Sequence, residues 1–323
     1  MTQEAKAPAS RLGNFPVSFF SIVMGLNGLA IATQKIEGLL GTTNVSSTVL
    51  LALTLAVFLI ITLVYALKLV RHRQACIQEF NDPVGLSFFP AFSINFLLVA
   101  VAFLPVSKTA SLVFWVIGAV LHLMLTLIIL SIWVQQQKFE IKHMCPVWFI
   151  PVVGNILVPV AGVEHAPDEI SWLFFSIGVV FWVILQTLFF YRIFFHHPLP
   201  EKLLPTFFIL LAPPVVGAIA YVKLSGGLDA FTNILYYYGL FIFLFLLVQV
   251  GMLRKARFHL SWWAYSFPVA ALVIASTMMH AQTGLLFYRV LAFVVFAIVV
   301  ILICLLALLT IVNIIRARIC VEE

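Results

Sequence analysis

The chain has 323 residues, 63% of them hydrophobic and 9% charged, with 31 Phe and a formal net charge of +6. A soluble domain of that length cannot cover its surface with so little charge, and a mean hydropathy of +1.15 agrees. A soluble globular domain is excluded, and a polytopic membrane protein, with the lipid bilayer as its first partner, is expected.

The opening stretch MTQEAKAPASRLGNFP carries Glu4, Lys6 and Arg11 and no small-residue cleavage site, so it reads as a polar tail and not a removable signal. Ten apolar runs follow, at 16–33, 48–70, 86–104, 110–134, 146–163, 170–193, 205–222, 230–253, 261–279 and 287–315. Each is long enough for a hydrocarbon core of ~30 Å. Ten crossings put both termini on one side, and the basic residues then sort sharply. Lys6, Arg11, Lys68, Arg71, Arg73, Lys138, Lys142, Arg192, Lys202, Arg254, Lys255, Arg257, Arg316 and Arg318 share the side of the termini. Only Lys35, Lys108, Lys223 and Arg289 fall on the other. The positive-inside rule makes the termini cytoplasmic, so residues 1–323 form one transmembrane domain with short cytoplasmic tails at 1–15 and 316–323. This topology largely accounts for the net charge, which supports no nucleic-acid reading. Cys76, Cys145, Cys304 and Cys320 lie in cytoplasmic loops, a late span and the tail, so no disulfide framework is expected.

The runs are of two kinds. Even-numbered ones are long, uninterrupted and nearly free of Pro and Gly. Odd-numbered ones are punctuated: Pro90 in the third, Pro151, Gly154 and Pro159 in the fifth, Pro213, Pro214 and Gly217 in the seventh, Pro268 in the ninth. The first has Gly25 and Gly28 but no central Pro. Pro90 to Pro151 is 61 residues, Pro151 to Pro214 is 63 and Pro214 to Pro268 is 54, an internal repeat of a two-helix hairpin, five times over. Continuous apolar helices can face lipid, whereas broken, small-residue-rich helices need protein or water beside them. The pattern therefore places five broken helices inside and five smooth ones outside.

No Asp, Glu, Lys or Arg sits in the middle of a span. Lys68, Arg192, Lys223 and Arg289 are at ends, where long side chains can snorkel. Ion-coupled carriers usually keep an intramembrane carboxylate or His, so passive permeation is favoured over coupled transport. The polar groups inside are neutral: Ser21, Asn27, Ser93, Asn95, Asn155, Ser266, Ser276 and Thr277. They read either as a sparse pore lining or as glue between helices. His122 is the one His well inside a span, without a facing partner for haem. His143-Met144-Cys145 offers adjacent soft ligands that seldom converge on one metal, and His196-His197 reads as a loop pair. Trp172, Trp262 and Trp263 suit an interfacial belt. No catalytic constellation, nucleotide-binding loop, metal site or cofactor site is legible, so no enzyme is expected. Phe267, next to Pro268, places a bulky ring where the helix is least regular, the place for a constriction.

Three segments carry a resemblance. FHLSWWAYSFPVAA (Phe258 to Ala271), FPVSFFSIVMGLNGLAIA (Phe15 to Ala32) and DPVGLSFFPAF (Asp82 to Phe92) resemble the ninth, first and third spans of one family. It joins plant slow-type anion channels, bacterial TehA-like tellurite-resistance proteins and fungal malate or sulfite transporters. The resemblance implies an all-α protein of ten transmembrane helices, five hairpins around a quasi-fivefold central pore, assembled as a homotrimer with one pore per subunit. It also implies that Phe267 plugs the pore as a gate. One departure is the missing central Pro of the first span. The long phosphorylated tails of plant members have no counterpart here, so their kinase control is not carried over.

The expectation is a bacterial inner-membrane channel passing small anions such as chloride or nitrate. Phe267 is its gate, and Pro90, Pro151, Pro213, Pro214, Pro268, Gly25, Gly154 and Gly217 form its kinks. Ser21, Asn27, Ser93, Asn95, Asn155 and Ser266 line it. A carrier or exporter of C4-dicarboxylate, sulfite or tellurite is the alternative, and a haem or redox protein built on His122 a third reading.

Overall fold

A computed structural model describes residues 10–253 and 257–320, and every regular element among them is helical. Glu4, Lys6, Arg254 and Lys255, which entered the reading of the tail and the sorting of charge, lie outside the described residues. Ten apolar helices follow in order: α1 (Val17–Leu40), α2 (Val45–Arg71), α3 (Gly85–Phe103), α4 (Lys108–Gln135), α5 (Pro146–Gly162), α6 (Asp168–Phe195), α7 (Glu201–Ser225), α8 (Ala230–Val248), α9 (Leu260–Thr283) and α10 (Leu286–Ile315). Among the described residues, nine are long and apolar enough to cross a membrane, and α5 is shorter.

Two stretches expected as loop are helical. α1 runs past residue 33 to Leu40, where Gly41 at φ 67° ends it. The polar Gln34, Lys35 and Glu37 hide that extension from a hydropathy reading. Glu37 is nevertheless buried, and its carboxylate accepts the Ser46 and Ser47 amides, which caps the start of α2. A short helix, Arg73–Asn81, also fills the connection between α2 and α3.

All five odd helices open with a 3-10 segment: Val17–Phe19, Gly85–Phe88, Pro146–Trp148, Glu201–Leu211 and Leu260–Tyr265. α5 has a second such segment at Gly154–Leu157. Even helices are α from end to end. The prolines sit where the winding changes. Pro90 precedes the α segment Ala91–Phe103, Pro213 and Pro214 open Ala212–Ser225, and Pro268 lies in the first turn of Ser266–Thr283. First-turn amides have no acceptor within their own α segment, so a proline is tolerated there. Pro268 thus starts an α segment; it does not break one midway as expected.

The odd helices pack in a closed ring, α1 on α3, α3 on α5, α5 on α7, α7 on α9 and α9 back on α1. Each even helix lies on the odd helix before it and reaches the next. In their most apolar stretches α1, α3, α7 and α9 bury 72–78% of residues, against 22–39% for the even helices. α5 is buried almost throughout. The inside-and-outside division inferred from punctuation is the observed one.

Close approach depends on glycine. α4, α6 and α8 each hold one mid-helix Gly, and a Cβ on Gly118, Gly178 or Gly239 would lie 2.9, 2.4 or 2.5 Å from Leu97, Ile156 or Val215 of the helix beneath. These three glycines are 60 and 61 positions apart, so the hairpin repeat extends to the outer helices. The α1–α9 seam is tightest. A Cβ on Gly25 would lie 2.2 Å from Ser266 Oγ and 2.9 Å from Trp263, and one on Gly28 3.0 Å from Ala270. Gly25 and Gly28, three apart, share one face of α1.

Two cations expected to snorkel are buried. Lys68 donates to Glu79 at 2.7 Å and to the Phe15 carbonyl at 2.9 Å, and Tyr65 adds a bond to the same carboxylate at 3.0 Å. Arg192 Nη1 donates to the Met144 carbonyl. The cations stand in the last turns of α2 and α6, and their acceptors lie outside the ten apolar helices, where protein groups replace headgroup water.

Gly25→Val forces Ser266 and Trp263 apart, so its thermal midpoint in detergent should fall by the equivalent of about 1–3 kcal/mol. Gly38→Ala in the same helix, where a Cβ meets nothing within 4 Å, should hold or raise it. Equal midpoints for the two variants would show that the seam tolerates side chains.

Candidate functional site

Two cavities lie inside the ring, one above the other. The first, about 80 Å³, is nearer the termini and is lined from all five odd helices and from no even one. Ser21 and Met24 come from α1, Phe88 and Ile94 from α3, Phe149 and Gly154 from α5, Pro213 and Val216 from α7, and Trp263, Phe267 and Pro268 from α9. Its only hydroxyls are those of Ser21 and Ser261. Phe267 is 7% exposed, and its ring edge faces Gly28, where a Cβ would lie 3.3 Å away. The 3-10 to α switch at Ser266 sets this ring at the start of the α segment.

The second cavity, about 380 Å³, opens toward the end away from the termini. Its wall also comes from the odd helices and the connections that follow them, with Lys35, Gln34, Asn44, Glu164 and Lys223 among its residues. The cavity nearer the termini is thus apolar, and the other carries charge in its wall.

The expected site residues divide. Phe267, Ser21, Gly154, Pro213 and Pro268 lie in the wall of the first cavity. Asn27, Ser93, Asn95, Asn155 and Ser266 lie in neither wall, and all are fully buried. Asn95 Nδ2 donates to the carbonyls of Phe20 and Ala91 at 2.9 Å, and Asn27 Nδ2 donates to Asn95 Oδ1 at 3.3 Å, which ties α1 to α3. Asn155 Nδ2 reaches Thr126 Oγ1 at 3.0 Å, and Thr126 in turn donates to the Pro151 carbonyl at 2.6 Å, fastening α5 to α4. Ser266 donates to the Trp263 carbonyl at 2.6 Å. The donors of Asn27, Asn95, Asn155 and Ser266 are bonded within the protein, because a free donor in an apolar seam costs more than a bonded one, whereas Asn27 Oδ1 and Asn155 Oδ1 accept no bond among the described residues. Pro90, Pro151, Pro214, Gly25 and Gly217 shape or seat the helices without lining either cavity.

His122 is fully buried with Nδ1 2.9 Å from Ser93 Oγ, and its Nε2 sits behind Gly154. His143 Nδ1 accepts the Glu140 amide at 3.1 Å, so it closes a turn. Among the described residues no three His, Cys, Asp or Glu side chains gather as metal ligands. Burial pushes the Cys145 thiol up to about 12, which keeps it protonated. At the far mouth Lys108, 3.1 Å away, holds the Glu164 carboxyl below the usual range, whereas burial lowers His165. Both settings keep these groups in their ordinary neutral-pH states.

Trp263 corrects the aromatic-belt expectation. It is 2% exposed, lines the first cavity and donates to Thr310 Oγ1 of α10 at 2.9 Å. Trp172 is 39% exposed, as a belt residue would be. Lining residues that the motif reading missed include Phe88 and Phe149. Each stands two residues before a repeated proline, Pro90 or Pro151, so repeat register was the available signal.

Residues 14–311 match the family described as SLAC1, voltage-dependent anion channel. The S-type anion channel SLAH2 of Arabidopsis thaliana is 28% identical over 270 residues, 81% of this chain and 52% of SLAH2. This chain therefore spans about half the length of that relative. An uncharacterized transporter of Methanocaldococcus jannaschii is 27% identical over 300 residues, covering 85% of this chain and 87% of its own length. The tellurite resistance protein TehA homolog of Haemophilus influenzae is 27% identical over 287 residues, 86% and 85% of the two chains.

The division between seam and wall is measurable by thermal unfolding. Asn95→Leu removes the ties to Phe20 and Asn27 and should cost about 1–2 kcal/mol, within the range of inter-helix hydrogen bonds in membranes. Ser21→Ala, in the cavity wall, should leave the midpoint unchanged. A larger loss from Ser21→Ala would reverse the assignment.

Proposed function

The chain belongs to the SLAC1 family of voltage-dependent anion channels, and from that premise we propose that it is a passive channel for small monovalent anions, chloride and nitrate among them. One observation carries the reading: an apolar chamber walled by all five odd helices, with Phe267 in its wall and no ionisable side chain among its lining residues. A chamber of this kind offers an ion no fixed counter-charge to bind and release stoichiometrically, and it removes hydration water only in part. Weakly hydrated anions pass best. Basic residues at the cytoplasmic end add positive potential.

Phe267 is the gate in this proposal. Its ring edge packs against the bare backbone of Gly28, so opening moves the ring away from α1. The quasi-fivefold arrangement, ten crossings, termini in the cytoplasm of a bacterial inner membrane, and a homotrimer with one pore per subunit complete the proposal. The observed ring closure of α9 on α1 supports the pore. Lys35, Lys108 and Lys223 share one end of the bundle, whereas Lys68, Lys138 and Arg192 make their contacts at the other, as the sorting of charge requires.

The second reading is a carrier or exporter of C4-dicarboxylate, sulfite or tellurite, the last favoured by the tellurite-resistance name of the Haemophilus relative. Reversal potentials separate the two. A channel follows the anion's Nernst potential alone, and a proton-coupled carrier also shifts with the pH gradient.

Phe267→Ala should raise anion flux in liposomes or planar bilayers several-fold while the protein stays folded by its thermal midpoint. Unchanged flux in a folded variant would remove Phe267 from the gate. Cation flux rising equally would remove anion selectivity from the bore.

A further inference from the structure

The mouth away from the termini holds two cations that the reading above does not use. Lys35, from α1, and Lys223, from α7, both line the cavity of about 380 Å³, and both side chains are exposed to it. The carboxylates nearby are committed elsewhere. Glu164, in the same wall, pairs with Lys108 at 3.1 Å. Glu37 is buried on the Ser46 and Ser47 amides. Asp229 accepts the Thr232 amide at 2.9 Å and the Tyr221 hydroxyl at 2.8 Å. Lys35 and Lys223 thus have no ion-pair partner among the described residues.

With Glu164 already bonded to Lys108, the recess keeps an excess of positive charge from Lys35 and Lys223, and an anion placed between them offsets it. The recess also offers amide donors, on Gln34 and Asn44. The chamber nearer the termini has no ionisable side chain among its described lining residues, so the recess is the last point at which an ion coming from this side meets fixed charge before that chamber.

We propose that this vestibule is an anion-binding site in which Lys35 and Lys223 together hold one small anion, such as chloride or nitrate, at the entrance to the apolar bore. The proposal deepens the anion-channel reading and rests on it. The chemistry suits a staging site. An ammonium is a compact, strongly hydrated point charge on a flexible stem, unlike a guanidinium fork, so it attracts an anion without the bidentate grip that would slow its release. Conduction needs binding strong enough to enter and weak enough to leave. The pair also corrects a one-sided picture drawn from the sorting of charge, in which basic residues matter at the cytoplasmic end.

The test uses the full chain in planar bilayers, with chloride as the probe, on the wild type and on Lys35→Met/Lys223→Met. At about 0.1 M salt, where the screening length is about 10 Å, the double variant should lose chloride conductance several-fold. At about 1 M, where screening falls to about 3 Å, the two should converge. Lys35→Arg/Lys223→Arg keeps the charge and should retain most of the low-salt conductance. Equal conductance of wild type and double Met variant at low salt, or a loss that persists at high salt, overturns the vestibule site. Absence of anion current from both the wild type and Phe267→Ala is a different result, and overturns the channel reading instead. A second readout needs no current. A cysteine at Asn44, in the same wall, reports local potential through its reaction rates with anionic and cationic thiosulfonates, measured against the chain without it. Removing both lysines should lower the anionic-to-cationic rate ratio by about tenfold, the scale on which a charged cleft concentrates counter-ions. An unchanged ratio sinks the site whatever the current does.

Discussion

Closure of the ring depends on how near α1 can come to α9. Four of the odd helices carry prolines, and α1 has none in its centre, so its contribution must be of another kind. It is room. Gly25 and Gly28 present bare backbone to Ser266, Phe267 and Ala270 at distances that no side chain could share. Were α1 held away by even a methyl group, the seam beside Phe267 would part, and the chamber would open sideways toward the outer helices. Backbone-to-backbone approach of this sort is how membrane helices associate without a hydrophobic drive, since lipid is as apolar as the partner helix. The same device recurs outside the ring, where Gly118, Gly178 and Gly239 let α4, α6 and α8 settle on the helices beneath.

With packing supplied by small residues, the interior polar groups are free for stapling. Asn95 ties α1 to α3, Asn155 and Thr126 tie α4 to α5, Trp263 and Thr310 tie α9 to α10, and Tyr236 and Ser276 tie α8 to α9. Each bond spans two helices of the same or adjacent hairpins. A mostly apolar chamber follows as a consequence: Asn27, Asn95, Asn155 and Ser266 sit in seams, and beside Ser21 and Ser261 the described wall is apolar or aromatic.

Charge is confined to the ends. At the terminal end Lys68 and Arg192 are buried among loop carbonyls and Glu79, where they hold connections in place. At the other end Lys35 and Lys223 face an open recess. Cations bonded into the structure and cations facing an open recess are therefore segregated to opposite ends of the bundle. The segregation comes from local geometry and not from residue type, because all of these side chains stand at helix ends by sequence alone.

Much of the architecture was written in punctuation. Pro in four of the odd spans, and its absence from the even ones, implied which helices are interior, because a helix with interrupted winding needs protein around it and a smooth one does not. The neighbourhood of Phe267 was legible for the same reason. Other features were hidden by effects that a linear reading cannot weigh. Trp263 looks like a belt residue until the depth of α9 and the hydroxyl of Thr310 are known. Asn27, Asn95 and Asn155 look as fit for a lining as for a seam, and only the direction each side chain takes from its helix decides between them.

By itself, then, the sequence determined the class of protein, the hairpin repeat, the interior helices and the special position of Phe267, since hydropathy, helix winding and backbone sterics are local properties. Tertiary structure alone decided which polar groups face a cavity, how α1 closes the ring, and that Lys35 and Lys223 meet across one recess. Those outcomes depend on helix rotation and on residues far apart in the chain, and rotation about a helix axis leaves almost no trace in an apolar sequence whose every face is greasy.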